Sequence, residues 1–292
     1  MNKTLLKLIA PIVLLAVSGC GFQIAAPIDI QSDSSLTKEP ADMDSTSQSS
    51  ESHQYSDWWR PTAGLTWQWN LTGKLNMDLR TDVIDVDLEV GKSVVDYYHS
   101  IGTKVICYIS VGSYENWRAD ADQFPTEVLG KDYEGWSGEK RLDIRRIDLL
   151  APIMLARLDQ CQAKGFDGVE PDNMEVWTND TGFPLTYEDQ LKYAIWLADE
   201  AHQRGLAIGQ KNAPDQTLDL VDLFDFAITE DAFYYQWAKD MLPYIKAGKP
   251  VFAAEYTDLP GDFSEFCEQS KQLGFSTILK NRELNAWLET CP

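Results

Sequence analysis

The sequence predicts an α/β protein with one folded domain, a (β/α)8 barrel, preceded by an export segment. Residues 55–292 have the length of one such barrel, and apolar strands alternate with helices along them. Eight strands can be counted. A doubly wound open sheet is the alternative, but such sheets usually carry a glycine-rich first turn, which this sequence lacks.

The predicted strands are short apolar segments, as expected of parallel strands covered on both faces. In chain order they are Leu65–Trp69, Val83–Asp87, Lys104–Ile109, Phe166–Val169, Leu206–Gly209, Phe226–Thr229, Val251–Ala254 and Ser276–Leu279. Helical spacing of apolar residues predicts Val94–Ile101, Ile147–Ala163, Tyr187–Arg204, Leu218–Leu223, Phe233–Ala247, Phe263–Leu273 and Leu284–Leu288. Gly165 follows the second helix, where a helix C-terminus favours glycine.

The first 54 residues have the composition of an export signal and a linker. Two lysines precede an apolar run that ends at Ser18-Gly19-Cys20, which resembles a bacterial lipoprotein cleavage site. We expect residues 1–19 to be a signal peptide and Cys20 to be lipidated; an ordinary cleaved signal is the alternative. Residues 20–54 contain a polar stretch with almost no aliphatic side chains, so they are expected to form a disordered tether.

These features predict an exported domain that a lipid at Cys20 anchors to a bacterial membrane. Gly21, which follows the cysteine, favours the outer membrane by resemblance to Gram-negative lipoproteins. The anchored domain would then lie in the periplasm or at the cell surface.

The charge of the chain restricts its partners. Asp and Glu number 46 against 25 Lys and Arg, so the formal charge is −21. Residues 55–292 carry 40 acidic and 22 basic residues, so the folded domain itself has a charge of −18. Such a domain repels nucleic acid and attracts cationic ligands. The chain has three histidines, of which His99 and His202 fall on outer helices, and we expect no metal and no cofactor.

Four cysteines fall in the folded domain, which in an exported protein favours disulfides. Three pairings are possible, and the pair Cys267–Cys291 is preferred because it would fix a C-terminal helix to the end of the chain. Cys107 lies in an apolar strand and is expected to be buried.

Polar side chains follow the predicted strands, and a barrel brings the carboxyl ends of all its strands to one face. Glu170 and Asp172 are two residues apart, so strand alternation directs both toward the barrel axis. The long segment Ser113–Asp148 carries Trp117 and Trp136 and is expected to cover the mouth as a substrate-contacting loop. Carboxylate pairs near tryptophans suit glycoside hydrolysis, which needs one carboxyl to protonate the leaving oxygen and another to attack the sugar or activate water.

Five segments in this order resemble the motifs of glycoside hydrolase family 114. They are Trp67–Gly73 (WQWNLTG), Cys107–Arg118 (CYISVGSYENWR), Gly165–Asn173 (GFDGVEPDN), Thr229–Asp231 (TED) and Ala254–Thr257 (AEYT). The family is similar to endo-α-1,4-polygalactosaminidases, barrel enzymes that cleave a partly deacetylated, cationic polymer of galactosamine and N-acetylgalactosamine. The resemblance extends from about Trp58 to the C-terminus.

The resemblance implies a catalytic pair at Asp172 and Glu230. We expect Asp172 to be the nucleophile and Glu230 the general acid/base, with net retention of anomeric configuration. The side chains expected to bind substrate are those of Trp67, Asp87, Tyr108, Glu115, Glu170, Asn173, Lys211, Asn212, Glu255 and Tyr256. The expected partner is a cationic amino-sugar polysaccharide, and the expected oligomeric state is a monomer.

Three alternatives stay open at this point. A polysaccharide-binding lipoprotein without activity would keep the aromatic residues but would not need both Asp172 and Glu230. A metal-dependent barrel hydrolase would need histidine ligands at the strand ends. A glycosidase of different specificity is the nearest alternative, because substrate choice depends on the loops.

Overall fold

Eight parallel strands form one curled sheet in the computed structural model, which describes residues 57–292. The expected signal peptide, the lipidation site at Cys20 and the tether lie outside the described residues. The strands of the sheet are β1 (Trp67–Asn70), β2 (Val83–Asp87), β3 (Lys104–Ser110), β7 (Gly168–Asp172), β8 (Ala207–Lys211), β9 (Phe226–Glu230), β10 (Val251–Tyr256) and β11 (Ser276–Lys280). All eight predicted strands are confirmed, and they neighbour one another in chain order.

Helices cover the outside of the curled sheet. They are α1 (Lys92–Ser100), α2 (Ile147–Lys164), α3 (Tyr187–Gln203), α4 (Thr217–Leu220), α5 (Leu242–Lys246) and α6 (Phe263–Leu273). Thr186 and Asp189 form a capping box at the start of α3, and Gly165 ends α2 in the left-handed conformation. Within the described residues, no helix combines the length and the apolar character that crossing a bilayer would require.

Two predicted helices are wrong. Phe233–Ala247 forms only a 3-10 turn and the short α5, because Gln236 is left-handed with φ 65° and interrupts the helical backbone before Ala238. Leu284–Leu288 is not helical. Leu284 is left-handed with φ 46°, and its carbonyl accepts the N–H of Leu71, so the backbone groups that a helix would use are committed elsewhere.

The predicted long loop between β3 and α2 contains a second, three-stranded antiparallel sheet. Its strands are β4 (Ser113–Glu115), β5 (Leu129–Asp132) and β6 (Glu139–Leu142), in the order β4-β6-β5. This small sheet forms one wall of the barrel mouth. The expectation of a loop was therefore wrong about its structure, although the segment does line the mouth.

Side chains link the first and last strands of the curled sheet. The indole of Trp67 donates to the carbonyl of Ser276, and the ammonium of Lys280 donates to the side chain of Gln68, at 2.9 and 2.8 Å. A further short strand, β12 (Glu289–Thr290), pairs antiparallel with β11 at this seam.

The apolar core has two layers. Trp67, Phe226, Phe252 and Ile278 fill the barrel interior, whereas a larger cluster lies between the sheet and the helices. Burying apolar side chains on both faces of the strands stabilises the barrel.

The four described cysteines form two disulfides. Cys267 pairs with Cys291, as predicted, and joins α6 to the C-terminal segment. Cys107, which is fully buried, pairs with Cys161 and joins β3 to α2.

Candidate active site

A cleft of about 920 Å³ opens at the carboxyl ends of the parallel strands. Nine acidic residues line it, namely Asp87, Glu89, Glu115, Glu139, Asp172, Glu175, Glu230, Asp231 and Glu283. The basic residues of its lining are Arg118, Lys211 and Arg282, and each already forms ion pairs with carboxylates. The cleft therefore offers negative charge to whatever enters it.

Lys211 is at the centre of the cleft floor. This residue ends β8, and its ammonium Nζ lies 2.9 Å from Glu170, 2.7 Å from Asp172 and 3.2 Å from Glu230. Burial alone would lower the pKa of Lys211, but the three carboxylates raise it well above its usual value. The lysine is thus a permanent cation that donates hydrogen bonds to Glu170 and Asp172 and forms an ion pair with Glu230.

Asp172 ends β7, next to β3 and β8. Its Oδ1 accepts from Lys211, and its Oδ2 accepts from the Tyr108 hydroxyl at 2.8 Å. Burial by itself raises the pKa of Asp172, but Lys211 and Tyr108 outweigh burial and hold it below its usual value. Asp172 is therefore an ionised carboxylate at neutral pH, with 18% of its side chain exposed to the cleft, and this is the state that a nucleophile needs.

Glu230 ends β9, and 28% of its side chain is exposed. Its Oε1 accepts from the Tyr256 hydroxyl at 2.5 Å, and its Oε2 accepts from the Asn212 amide at 3.3 Å. Burial and the charge of Glu230 raise the pKa of Tyr256 well above its usual value, so the tyrosine remains a donor. Glu230 is thus held in place while still open to solvent and substrate.

The turns that follow β7 and β8 adopt left-handed backbone conformations. Asn173 has φ 63° and Asn212 has φ 46°, a region that asparagine tolerates better than most residues. Asn173 donates to the hydroxyls of Ser110 and Ser113. Gly112 packs so closely against this turn that an added Cβ would lie 1.7 Å from the Asn173 carbonyl oxygen, so only glycine fits there.

Of the residues predicted to bind substrate, seven line the cleft: Asp87, Tyr108, Glu115, Asn173, Lys211, Asn212 and Tyr256. Asp87 and Glu115 are both bound by the guanidinium of Arg118, at distances from 2.8 to 3.0 Å. In this structure Asp87 and Glu115 therefore hold the Arg118 guanidinium in place, and Arg118 connects the small sheet to the end of β2.

The structure places the other three predicted binding residues away from the cleft surface. Trp67 is 1% exposed and packs in the barrel core. Glu255 is also 1% exposed and binds backbone N–H groups of the loop after β9. Glu170 is fully buried beneath Asp172, where it accepts from the Trp69 indole and from Lys211. None of these three is among the residues that line the cleft.

Several cleft residues were not predicted from the sequence. Glu175 accepts weakly from Asn212 and from the backbone N–H of Ala213, both at 3.3 Å, and burial raises its pKa to about 7. Glu139 on β6 accepts from Ser113, and burial raises its pKa to about 7 as well. Glu175 follows the Asp172-Asn173 motif closely and was within reach of motif reading, whereas Glu139 belongs to a strand that the sequence did not reveal.

Comparisons with known proteins agree with this geometry. Residues 48–292 match the sequence profile of the glycoside-hydrolase family GH114. Aspergillus fumigatus Ega3, whose crystal structure contains galactosamine, shares 37% sequence identity with this chain. The two structures match with a TM-score of 0.76 over 82% of this chain and 100% of that one. The glycoside hydrolase domain of PelA from Pseudomonas aeruginosa is 16% identical, with a TM-score of 0.60 over 78% of this chain and 99% of that one, which supports the fold.

An uncharacterized protein of Deinococcus radiodurans is 24% identical over 63% of this chain, and the match spans 66% of that protein. The profile match covers the whole described domain, and the carboxylates of Asp172 and Glu230 line the cleft at the barrel face where such enzymes work. This chain belongs to family GH114 and is a glycoside hydrolase.

Proposed function

We propose that the protein is an endo-acting glycosidase that cleaves α-1,4-linked, galactosamine-containing polysaccharide with retention of anomeric configuration. The observation that carries the substrate class is the charge of the cleft. Its basic side chains are all ion-paired, whereas Glu139, Glu175 and Glu283 line it without an ion-pair partner among residues 57–292. Carboxylates without an ion-pair partner attract a polymer with protonated amino groups, and they do not increase the affinity for a neutral glucan.

Two further findings support the substrate. The related Ega3 structure, 37% identical, contains galactosamine. Exposed aromatic side chains, Trp117, Trp136 and Tyr235, line the cleft from segments that follow different strands, so a chain of several sugars would find stacking surfaces beyond the catalytic pair. This arrangement favours binding within a polymer over binding only at its end.

The positions of the catalytic carboxylates support retention. Asp172 and Glu230 contact the same Lys211 Nζ, at 2.7 and 3.2 Å, so the two carboxylate oxygens that contact it are separated by at most the sum, about 5.9 Å. Retaining enzymes have carboxyl groups about 5 to 5.5 Å apart, and inverting enzymes about 6.5 to 9.5 Å. This upper bound of about 5.9 Å lies below the range of inverting enzymes, which supports retention.

The proposed reaction has two steps. A carboxylate oxygen of Asp172 attacks the anomeric carbon while Glu230 donates a proton to the departing glycosidic oxygen, which yields a glycosyl-enzyme ester. Glu230 then removes a proton from a water molecule, whose oxygen attacks the anomeric carbon and releases Asp172.

Product analysis tests the proposal. The domain from Tyr55 onward is incubated with partly deacetylated α-1,4-galactosaminogalactan and, in parallel, with the fully N-acetylated polymer; products are analysed by mass spectrometry and the first-formed anomer by NMR. We expect short galactosamine-containing oligomers of α configuration from the deacetylated polymer only. Asp172→Asn and Glu230→Gln variants, checked for folding by circular dichroism, should yield none.

Other outcomes contradict separate parts of the proposal. Products of β configuration would overturn retention, and cleavage of the N-acetylated polymer alone would overturn the substrate class. Single terminal sugars without oligomers would overturn endo action. Activity that survives in both variants would remove Asp172 and Glu230 from the mechanism.

We also propose that Cys20 carries a lipid that anchors the domain to a bacterial membrane. The support is the sequence of residues 1–20, with its lysines, apolar run and small residues before the cysteine. Full-length protein produced in a Gram-negative host with labelled palmitate should carry the label and fractionate with outer membranes. A Cys20→Ala chain that carries as much label as the wild type would contradict this assignment.

A further inference from the structure

Asp85 is a buried carboxyl group beneath the catalytic residues. It lies in the middle of β2, level with Trp69 of β1 and Ile106 of β3, and none of its surface is exposed. Neither of its carboxyl oxygens receives a hydrogen bond from an N–H or hydroxyl group of residues 57–292. An ionised carboxylate in that position would have no hydrogen-bond donor to compensate for its lost hydration.

The group that Asp85 contacts is the carboxyl of Glu170. Two carboxyl groups can share a hydrogen bond only if one of them carries a proton. Glu170 accepts from the Trp69 indole and from Lys211, both at 2.9 Å, so its charge is compensated. Asp85 has no such donors and is therefore the partner that keeps the proton.

The electrostatic surroundings of Asp85 agree. The pKa of Asp85 is raised well above its usual value, mainly by burial and next by the charge of the nearby Glu170. Asp172 also raises this pKa, whereas Lys211 lowers it. Burial also raises the pKa of Glu170, to about 7, whereas Lys211 and the hydrogen bond from Asp85 lower it.

We propose that Asp85 is a positioning residue that stays protonated and donates its O–H to Glu170, which in turn holds Lys211 between Asp172 and Glu230. The ammonium of Lys211 then stays within 3.2 Å of all three carboxylates, with hydrogen bonds to Glu170 and Asp172. Removing the donor at position 85 favours protonation of Glu170, because the bond from Asp85 stabilises the ionised form. A neutral Glu170 attracts Lys211 less, so the lysine moves toward the catalytic pair and the pair loses its spacing.

Infrared spectroscopy tests the protonation state directly. At about pH 8.5 carboxyl groups whose pKa is about 7, such as Glu139, Glu175 and Glu255, are mostly ionised. We expect the substrate-free protein to show the C=O stretch of a buried carboxylic acid at this pH, and the Asp85→Asn variant to lack it. Glu139→Gln, the matched control, should keep the band. A wild-type spectrum that does not differ from that of Asp85→Asn in this region would overturn the proposal.

Kinetics test the positioning role, and this arm uses the substrate of the proposed function. Asparagine keeps a donor toward Glu170, so Asp85→Asn should retain kcat/KM within about threefold and keep the wild-type pH profile. Asp85→Val has no donor. Its acid limb should shift to higher pH by about half to one unit, the order expected of one buried hydrogen bond, with kcat/KM reduced about three- to tenfold near pH 6.

An asparagine variant as impaired as the valine variant, or with its acid limb shifted equally, would show that position 85 does not act as a neutral donor. If the valine variant does not fold, the infrared comparison and the asparagine variant still decide. If the wild type does not cleave the polymer, the substrate proposal fails while the infrared result stands on its own.

Discussion

Lys211 connects the chemistry of the site to its geometry. A single ammonium group contacts the buried Glu170 and the two carboxylates proposed as catalytic, Asp172 and Glu230, and the centre of the Trp69 ring lies 4.6 Å from it. Without this cation, Asp172 and Glu230 would repel each other across a partly buried space. The separation of the pair therefore depends on a residue that takes no part in bond making.

Replacing Lys211 by methionine should reduce kcat by at least about a hundredfold, the order found when a group that organises charge at an active site is removed. The variant should also unfold at lower temperature, because it leaves buried carboxylates without their cation. Steady-state kinetics and calorimetry measure both effects. Lys92→Met, which removes an exposed lysine paired with Asp96, is the control and should change neither. A Lys211→Met enzyme with wild-type kcat would contradict this account of the catalytic pair.

The carboxylate of Glu175 is expected to bind the protonated amino groups of the proposed substrate. Glu175→Gln keeps the shape and removes the charge, so KM for the deacetylated polymer should rise about five- to tenfold, which corresponds to about 1 to 1.4 kcal/mol, with little change in kcat. Because the pKa of Glu175 is raised to about 7 by burial, its charge appears as the pH rises through 7. The difference in KM between wild type and variant should therefore be larger at pH 7 than at pH 5.5, where Glu175 is mostly protonated. An equal difference at both values would mean that the charge of Glu175 is not what binds.

Among the elements, the small sheet β4-β6-β5 is the addition that shapes this barrel mouth. Arg118 ties it to the barrel by binding Asp87 at the end of β2 through two hydrogen bonds, both of 2.8 Å, and by binding Glu115 of β4. Trp117 is next to this arginine in the chain, and Trp136 lies on the connection before β6; both are about half exposed. The sheet thus carries aromatic surface to one side of the cleft.

Loss of this tie should affect long substrates more than short ones. In the Arg118→Met variant the small sheet loses its ion pairs to β2, so KM for the polymer should rise at least about fivefold. Short oligomers that contact only Asp172, Glu230 and their surroundings should keep a KM within twofold of the wild type. Fivefold corresponds to about 1 kcal/mol, a modest value for a partly buried bidentate pair. Arg146→Met, which removes an exposed arginine paired with Asp148, is the matched control. Equal losses on both substrates would indicate that Arg118 acts at the catalytic pair instead.

The two disulfides should differ in their response to reductant because they differ in burial. Cys107 and Cys161 are both fully buried, whereas Cys291 is partly exposed. Mild dithiothreitol under native conditions should therefore reduce Cys267–Cys291 first, and alkylation followed by mass spectrometry should find label on these two cysteines only. Label on Cys107 or Cys161 at the same rate would contradict the packing of β3 against α2.

The elements predicted well from the sequence are those with local signals. All eight strands of the barrel and the helix Phe263–Leu273 follow from apolar periodicity, because each buries a continuous apolar face. The strands of the small sheet were missed because they are short and polar; β5 has the sequence LGKD and β6 has EKRL. The helix predicted at Leu284–Leu288 fails for the opposite reason: local spacing was right, but Lys280 and β1 bind the backbone carbonyls of this segment.

The candidate site divides in the same way. The resemblance to family GH114 implied the pair Asp172 and Glu230, and the barrel topology brings the strand ends that carry them, β7 and β9, to one face. Trp67 was placed in the cleft wrongly because neighbouring residues of a strand point to opposite faces, and its side chain points into the barrel core. Glu255 was placed there wrongly because its carboxylate binds backbone N–H groups of the loop after β9. Asp85 carried no signal in the sequence, since a buried acid in an apolar strand is recognised only once its neighbour across the barrel is known.

For the whole molecule, the decisive property is the excess of negative charge, a net −18 over residues 55–292. Charge of this size, concentrated by nine acidic residues in one cleft, creates a field that raises the local concentration of a cationic polymer and speeds its association. Salt weakens that field, since the Debye length falls from about 30 Å at 0.01 M to about 8 Å at 0.15 M and about 3 Å at 1 M.

We therefore expect kcat/KM for the deacetylated polymer to fall at least about tenfold between 0.01 and 0.5 M sodium chloride, in line with electrostatically steered association. kcat at saturating substrate should change less than twofold, because the bond-making steps follow binding. A partly re-acetylated sample of the same polymer, with fewer charged amines, is the matched control and should show a smaller slope against ionic strength. If both samples respond equally to salt, the acidity of the domain does not serve substrate capture, and the cleft must select its sugar by shape and hydrogen bonding.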